Sequence, residues 1–435
     1  MADIFKLNYT QLQLVLPTSA FDSLDTALSA ACKAMNYDEA YDEAYLRLGL
    51  EQSLSVISRE EPLDVLKQIR KWALECLKDE PLHDMISKTP IWTTTRAGSD
   101  TIEKFTRKIT AKQARGILAN VFFSNCLDPA SDLKDHWHQG GLDWRPLLVS
   151  QYAKIGIERM RCHLLYFEQK VIEEKGDCAD NERLIIFECI HYKPVDFFNL
   201  EIADLHTFVG EGVHLHDKRM ENPPSSGCMT GFVNFANANF GYGKFSISCT
   251  QEEILESCCP EFTVGMLWIG QMGDNEVVNV QNVRRFSVYS GYLRTFRCQG
   301  LLSELVVHDI LTMDACFENH FDRKNIQRDL NKAYFAFKTH DAAVRCSGRN
   351  GAIVSTGKWG CGAFGGITAH KFVQQALAAS LAGVQLDFSA FGNPESCDVL
   401  LKAMQKRKPS PAEVANALEA CKKENSFVED FLAAI

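Results

Sequence analysis

Residues 233–253 read VNFANANFGYGKFSISCTQEE. Val233, Phe235 and Ala236 have the apolar character of the end of a buried strand. Gly241, Tyr242 and Gly243 then punctuate a loop in which backbone N–H groups can approach a ligand closely. Thr250-Gln251-Glu252-Glu253 opens a further apolar run through Ile254, Leu255 and Cys258-Cys259. Strand, glycine loop and helix start in this order form a geometry that holds a phosphate group. The adjacent carboxylates of Glu252 and Glu253 are suited to acid–base work beside such a cradle. A second reading of the same residues stands next to the first. Thr250-x-x-Glu253 is also a capping box, in which threonine and glutamate satisfy the first unpaired N–H groups of a helix.

A similar unit lies downstream. Ala352–Ser355 (AIVS) reads as a strand. It feeds Gly357-Lys358-Trp359-Gly360-Cys361-Gly362-Ala363-Phe364-Gly365-Gly366, and a helix is expected from about Ile367 to Ala382. Val384–Phe388 reads as another strand, closed by Phe391-Gly392. Strands are also expected at Arg183–Cys189, Gly265–Gly270 and Val277–Val283, and a helix over roughly Val306–Phe337. Strands alternating with helices indicate an α/β sheet. Two glycine loops at strand ends fit one crevice holding one elongated anion.

The first part differs in character. Phe21, Leu24, Leu28, Cys32 and Met35 recur at helical spacing, and Pro62 stands at a first helical position before Leu63, Leu66, Ile69, Trp72 and Cys76. Thr110-x-x-Gln113 is a second capping box, and another helical run covers Leu147 to about Glu174. Residues 37–45, YDEAYDEAY, place three tyrosines on one face if helical. The chain is therefore divided into a mostly helical region at 1–182, an α/β domain at 183–405 and a helical tail at 406–435.

Composition narrows the function. The 435 residues carry a formal charge of −10, with 46% hydrophobic and 23% charged residues, which argues against a general nucleic-acid coat and against direct DNA binding. An anion held by backbone N–H groups remains compatible with that charge. No apolar run is long enough to span a bilayer, and no secretory signal is read at the N-terminus, so a cytoplasmic or nuclear place without membrane attachment is expected. The 16 cysteines include no C-x-x-C spacing and are expected to stay reduced. His136-x-His138 and His214-x-His216 each lack a third ligand in sequence, so no metal and no cofactor is expected.

From about residue 90 to 405 the chain resembles the poly(ADP-ribose) glycohydrolase family. The resemblance rests on the glycine loop followed by Gln251-Glu252-Glu253-Ile254, on Tyr289-Ser290-Gly291-Tyr292, on Leu330-Asn331-Lys332-Ala333-Tyr334, and on Trp359-Gly360-Cys361-Gly362-Ala363-Phe364-Gly365-Gly366, in that order. It implies a macrodomain-like mixed α/β sheet flanked by helices, carrying an N-terminal helical accessory region. It also implies cleavage of ribose–ribose O-glycosidic bonds of poly(ADP-ribose) with release of ADP-ribose. The partners implied are poly(ADP-ribose), ADP-ribose and ADP-ribosylated proteins.

By the same resemblance, Glu253 is the general acid and then the base. Glu252 holds a hydroxyl of the reacting ribose, with Asn234 and Asn237 nearby. Gly241, Tyr242, Gly243, Lys358, Gly360 and Phe364 belong to the loops around the diphosphate. Gln251 lines the pocket, Tyr292 reaches the diphosphate or adenine side, and Phe391 stacks on adenine. The chain departs from the family at three of these positions. Tyr242 replaces the middle of a glycine triplet, Asn234 stands where the family has an aspartate, and Lys358 stands where it has an asparagine, where it is expected to pair with phosphate. These departures set a second reading beside the enzyme: a catalytically silent member that binds ADP-ribose or serves as an interaction protein.

Overall fold

The structure, a computed structural model, describes residues 5–88, 91–97, 100–126, 142–149, 153–176, 180–199, 208–224, 228–241, 249–392 and 394–435. One mixed sheet organises them. Its strands are β1 (Thr93–Ala97), β2 (Asp100–Thr110), β3 (Leu184–Tyr192), β4 (Val213–His216), β5 (Gly231–Ala236), β6 (Glu276–Ser290), β7 (Arg297–Asp314), β8 (Ile353–Thr356) and β9 (Gln385–Ser389). They lie in the order β1-β2-β3-β6-β7-β5-β8-β9-β4. The pairs from β1 to β7 are antiparallel, and those from β7 through β5, β8 and β9 to β4 are parallel.

The sequence explains the split. β5, GFVNFA, is buried along nearly its whole length, as a parallel strand covered on both faces must be. Because β7, β5, β8 and β9 run the same way, their carboxyl ends emerge at one edge of the sheet. The loops that leave that edge form the crevice in which such sheets bind ligands. The helices Arg323–Cys346 and Thr368–Ala382 supply the crossovers into β8 and β9.

The N-terminal helices form where caps and periodicity predict. Asn8, Ser23 and Thr110 each close a capping box, and Pro62 opens the helix Pro62–Cys76. That helix buries Val65, Leu66, Ile69, Trp72 and Cys76 on one side. Each of its large side chains contributes about 1.5–3 kcal/mol by leaving water. One apolar cluster runs from Phe5 to Phe431, so these helices and the sheet share a core. Among the described residues no helix is long and apolar enough to cross a membrane, and the described cysteines are free thiols.

Several local expectations are corrected. Residues 93–97 and 100–110 are not helical. They form β1 and β2, and β2 pairs with β3 from Ile102–Tyr192 to Thr110–Leu184, so the sheet crosses the boundary placed near residue 182. Threonines and β-branched residues favour a pleated surface, but a partner strand more than seventy residues away is invisible to local periodicity. Val306–Asp314 belongs to β7, and the helix begins only at Arg323, because β7 is paired on both sides, by β6 and by β5. Gly265–Gly270 is not a strand. Val264–Leu267 is a 3₁₀ turn that continues the short helix Pro260–Thr263, with Gly265 against the Phe187 ring. The three tyrosines of 37–45 do not share a helical face. Asp42 caps a helix that starts at Glu43, and Tyr41 lies under the Arg145 guanidinium at 4.8 Å.

Candidate active site

The corner between β5 and the helix Gln251–Cys258 brings five of the expected residues together. The capping box forms: Thr250 N–H donates to Glu253 Oε2 at 2.6 Å, and Thr250 Oγ1 donates to the same oxygen. Gln251 clamps the helix to the strand. Its Oε1 accepts from Phe235 N–H at 2.8 Å and its Nε2 donates to the Val233 carbonyl at 3.1 Å. Both ends of the amide are spent on backbone, which makes Gln251 a positioning group. Glu252 Oε2 accepts from Asn237 N–H at 3.2 Å, and Asn234 Nδ2 lies 3.5 Å from Glu252 Oε1. Asn237 Oδ1 accepts from Asn239 N–H at 3.0 Å and so shapes the turn after β5.

Glu252 and Glu253 are both buried. Burial pushes the Glu252 carboxyl well above its ordinary range, and the charges of Glu256 and Glu253 push it the same way, against the Asn237 and Asn234 hydrogen bonds. The neutral form of Glu252 is thereby favoured. Asn234 fits this state. Its Oδ1 is buried without a hydrogen-bond partner. Exchanging the amide's O and N positions brings Oδ1 against Glu252, where a protonated carboxyl donates to it. An amide here accommodates a neutral Glu252 without adding another buried charge.

This has a measurable consequence for stability. A carboxyl whose pKa is raised on folding stabilises the fold while protonated, and that contribution is lost as pH rises through the folded value. In the Glu252→Gln variant the fall in denaturation midpoint between roughly pH 5 and pH 8 should be shallower than in the wild type. Equal slopes in urea titrations would show that Glu252 is ionised in the fold.

The other expected residues surround this corner. Gly241 has φ +73°, a left-handed backbone that favours glycine, with the Met266 side chain packed against it. Tyr242 and Gly243 lie outside the described residues, as do His136 and His138. The second glycine loop leaves β8 beside it: a Cβ on Gly357 would lie 3.6 Å from the Phe235 ring. Gly360 has φ +72° and faces the Ala315 methyl, at 2.6 Å from a Cβ. Trp359 Nε1 donates to the Met313 carbonyl at 2.9 Å, and Gln375 Nε2 donates to the Gly357 carbonyl at 3.1 Å.

Lys358 Nζ donates to the Phe391 carbonyl at 2.7 Å. The lysine expected to meet phosphate thus ties the second loop to the turn after β9, leaving the Phe391 ring exposed at the crevice edge. Tyr292 follows β6 and is half exposed. Desolvation first, and the charge of Glu253 next, push its phenol above the usual range. Leu330–Tyr334 acts structurally: Asn331 brackets the backbone of Val195, and Lys332 Nζ bonds the Gly273 and Glu276 carbonyls and Asp314.

Sequence reasoning missed the support beneath the helix. Arg159, on the helix Ala153–Lys175, lies 3.3 Å from Glu256 Oε2, and its Nε donates to Ser257 Oγ at 3.2 Å. Ser257 Oγ in turn donates to the Glu253 carbonyl at 2.7 Å. The N-terminal region therefore braces the helix that carries the carboxylates. The signal for Glu256 was present as the i, i+4 spacing from Glu252; nothing local pointed to Arg159.

Comparison with known proteins follows this geometry. The family model described as poly(ADP-ribose) glycohydrolase (PARG), macro domain fold, matches residues 211–398. Poly(ADP-ribose) glycohydrolase 1 of Caenorhabditis elegans is 26% identical over 325 residues, covering 69% of this chain and 38% of the relative. Poly(ADP-ribose) glycohydrolase 1 of Arabidopsis thaliana is 28% identical over 235 residues, covering 51% of this chain and 40% of the relative. The chain thus spans about two fifths of the length of the curated relatives it matches. Among solved structures, the poly(ADP-ribose) glycohydrolase of Thermomonospora curvata bound to the inhibitor ADP-HPD aligns at 20% identity and a TM-score of 0.31, covering 46% of this chain and 80% of that one. The α/β part is macrodomain-like, a mixed sheet flanked by helices with its loops gathered at one edge. Over residues 211–398, where the family model matches, the chain belongs to the poly(ADP-ribose) glycohydrolase family.

Proposed function

We propose that this protein hydrolyses ribose–ribose O-glycosidic bonds of poly(ADP-ribose) and releases ADP-ribose. The observation that carries the reading is the buried Glu252–Glu253 pair at the end of β5, inside the segment matched by the family model. Glu253 delivers a proton to the leaving ribose oxygen as the glycosidic bond breaks. A water then adds to the anomeric carbon, and its proton returns to Glu253. Glu252 holds a ribose hydroxyl, braced by Asn234 and Asn237. The turn at Gly241 and the loop through Gly360 and Phe364 cradle the diphosphate. Phe391 stacks on the adenine, with Tyr292 reaching toward the diphosphate. Positive charge developing on the sugar favours a nearby negative group, and the substrate diphosphate supplies one.

A second reading is kept because of Asn234, where a neutral amide stands in place of the family's aspartate: a silent member that binds ADP-ribose on modified proteins. One experiment separates the two. The purified chain is incubated with poly(ADP-ribose), the released ADP-ribose is quantified, and ADP-ribose binding is measured by calorimetry. Release supports the hydrolase. Binding without release supports the reader, and neither result from folded protein removes both.

A further inference from the structure

The turn between β7 and the helix Arg323–Cys346 carries no motif that the reading above uses, yet it grips the second glycine loop at one residue. His320 Nε2 lies 2.7 Å from the Phe364 carbonyl, and the Phe317 ring meets the Phe364 ring edge-on at 5.5 Å. The loop also packs flat on this histidine: a Cβ on Gly366 would sit 3.2 Å from His320 Cε1. A carbonyl only accepts, so Nε2 carries a proton. Cys316 Sγ lies 3.0 Å from Nδ1, and the Cys316 S–H donates to Asp329 Oδ2 at 3.2 Å. Cys316 is itself fixed, since its N–H donates to Asp329 Oδ1 at 3.0 Å. Burial and the neighbouring Asp329 push its thiol up to about 12, which keeps the S–H that Asp329 accepts. Asn325 Nδ2 closes the turn on the Glu318 and Asn319 carbonyls at 3.0 and 3.1 Å.

Cys316, His320 and Asp329 also have the donor types of a metal site, with ligand atoms within 4.8 Å of one another. Lys371 decides against that use. Its ammonium is buried, bonds Asp329 Oδ2 and lies 3.7 Å from Cys316 Sγ, so the cluster already contains its cation. A divalent ion there would face a fixed positive charge.

We infer that His320 is a positioning residue for ligand binding: oriented by Cys316, it fixes the Phe364 carbonyl, and with Phe317 it sets the second glycine loop in its ligand-holding shape. The inference rests on the reading of Phe364 as part of the diphosphate cradle. Histidine meets this need because one ring nitrogen donates to the loop carbonyl while the other rests against the Cys316 sulfur, which Asp329 holds in place.

The test is ADP-ribose calorimetry on three variants of the full chain, with thermal unfolding to verify folding. Glutamine places an amide N–H near the reach of Nε2, asparagine falls short of it, and leucine has no donor. His320→Leu and His320→Asn should weaken ADP-ribose binding by about five- to tenfold, the effect of one net hydrogen bond. His320→Gln should stay within about twofold of the wild type at the same unfolding temperature as the asparagine variant. If glutamine and asparagine behave alike, or leucine binds as the wild type does, the positioning role is wrong while the binding site stands. If the wild type does not bind ADP-ribose, both the site and this inference fall. If a chelator weakens wild-type binding, the cluster is a metal site and the hydrogen-bonded account is overturned.

Discussion

Replacing Glu253 by glutamine is expected to reduce ADP-ribose release from poly(ADP-ribose) by about a hundredfold to ten-thousandfold, the usual contribution of a positioned acid–base group. The substitution is informative because Glu253 has two jobs. It closes the capping box with Thr250 as well as facing the crevice. Glutamine at this helix position fills the same box, so the cap survives and only the exchangeable proton is removed. Unfolding temperature and ADP-ribose affinity should therefore stay close to the wild type while turnover collapses. Glu253→Ala should lose turnover and, in addition, about 0.5–2 kcal/mol of stability with the cap. Quantified ADP-ribose release, calorimetry and urea unfolding on the same preparations check all three statements. Undiminished release from Glu253→Gln would refute Glu253 as the acid and return the residue to its capping role alone.

Gly291→Ala is expected to be the most disruptive single-methyl change near the site. Gly291 has φ +75°, and its new Cβ would lie 1.9 Å from the Thr295 carbonyl oxygen and 2.4 Å from the carbonyl carbon. The obstacle is backbone, and the turn cannot open without losing the Tyr292 N–H to Thr295 Oγ1 bond at 2.9 Å and the Leu293 N–H to Cys249 carbonyl bond at 2.8 Å. A left-handed backbone costs an L-residue about 1–2 kcal/mol and overpacking about 1–3 kcal/mol, so destabilisation of about 2–5 kcal/mol is expected. Tyr292 shifts with the turn, and ADP-ribose affinity falls with it. Gly383→Ala is the control. It too has a positive φ, +71°, but a Cβ there meets nothing within 4 Å, so only the conformational cost of about 1 kcal/mol applies. Equal losses in the two variants would show that the contact with Thr295 relaxes freely.

Much of the site was legible because its chemistry is carried by short-range grammar. The box at Thr250–Glu253, the strand at β5 and the glycine loop after β8 are local patterns whose spacing fixes a backbone shape, and they form where the pattern places them. At Glu253 the capping reading is borne out, since a carboxylate at the third helical position points back toward the helix start, and the catalytic role is proposed for the same side chain. Gln251 and Lys358 illustrate the limit. Both stand in the motifs, yet their polar atoms bind the Val233, Phe235 and Phe391 backbone. A side chain's partner depends on which carbonyls the fold brings within reach, and spacing along the chain does not encode that.

By itself, the amino-acid sequence determined the helix starts, the parallel strands with continuous apolar character, and the carboxylate pair at the end of β5. Each of these follows from hydrogen-bond closure or burial within a dozen residues. Only the tertiary structure decided that residues 93–97 and 100–110 extend the sheet, that β7 replaces the first part of an expected helix, and that Arg159 and His320 stand beneath the candidate site. It also decided that the Glu252 carboxyl is pushed above its ordinary range, because desolvation and the nearness of Glu256 and Glu253 arise when the helix is pressed against β5 and the accessory helix. Those are contacts between segments far apart in the chain, and their energies exist only once the core has closed around them.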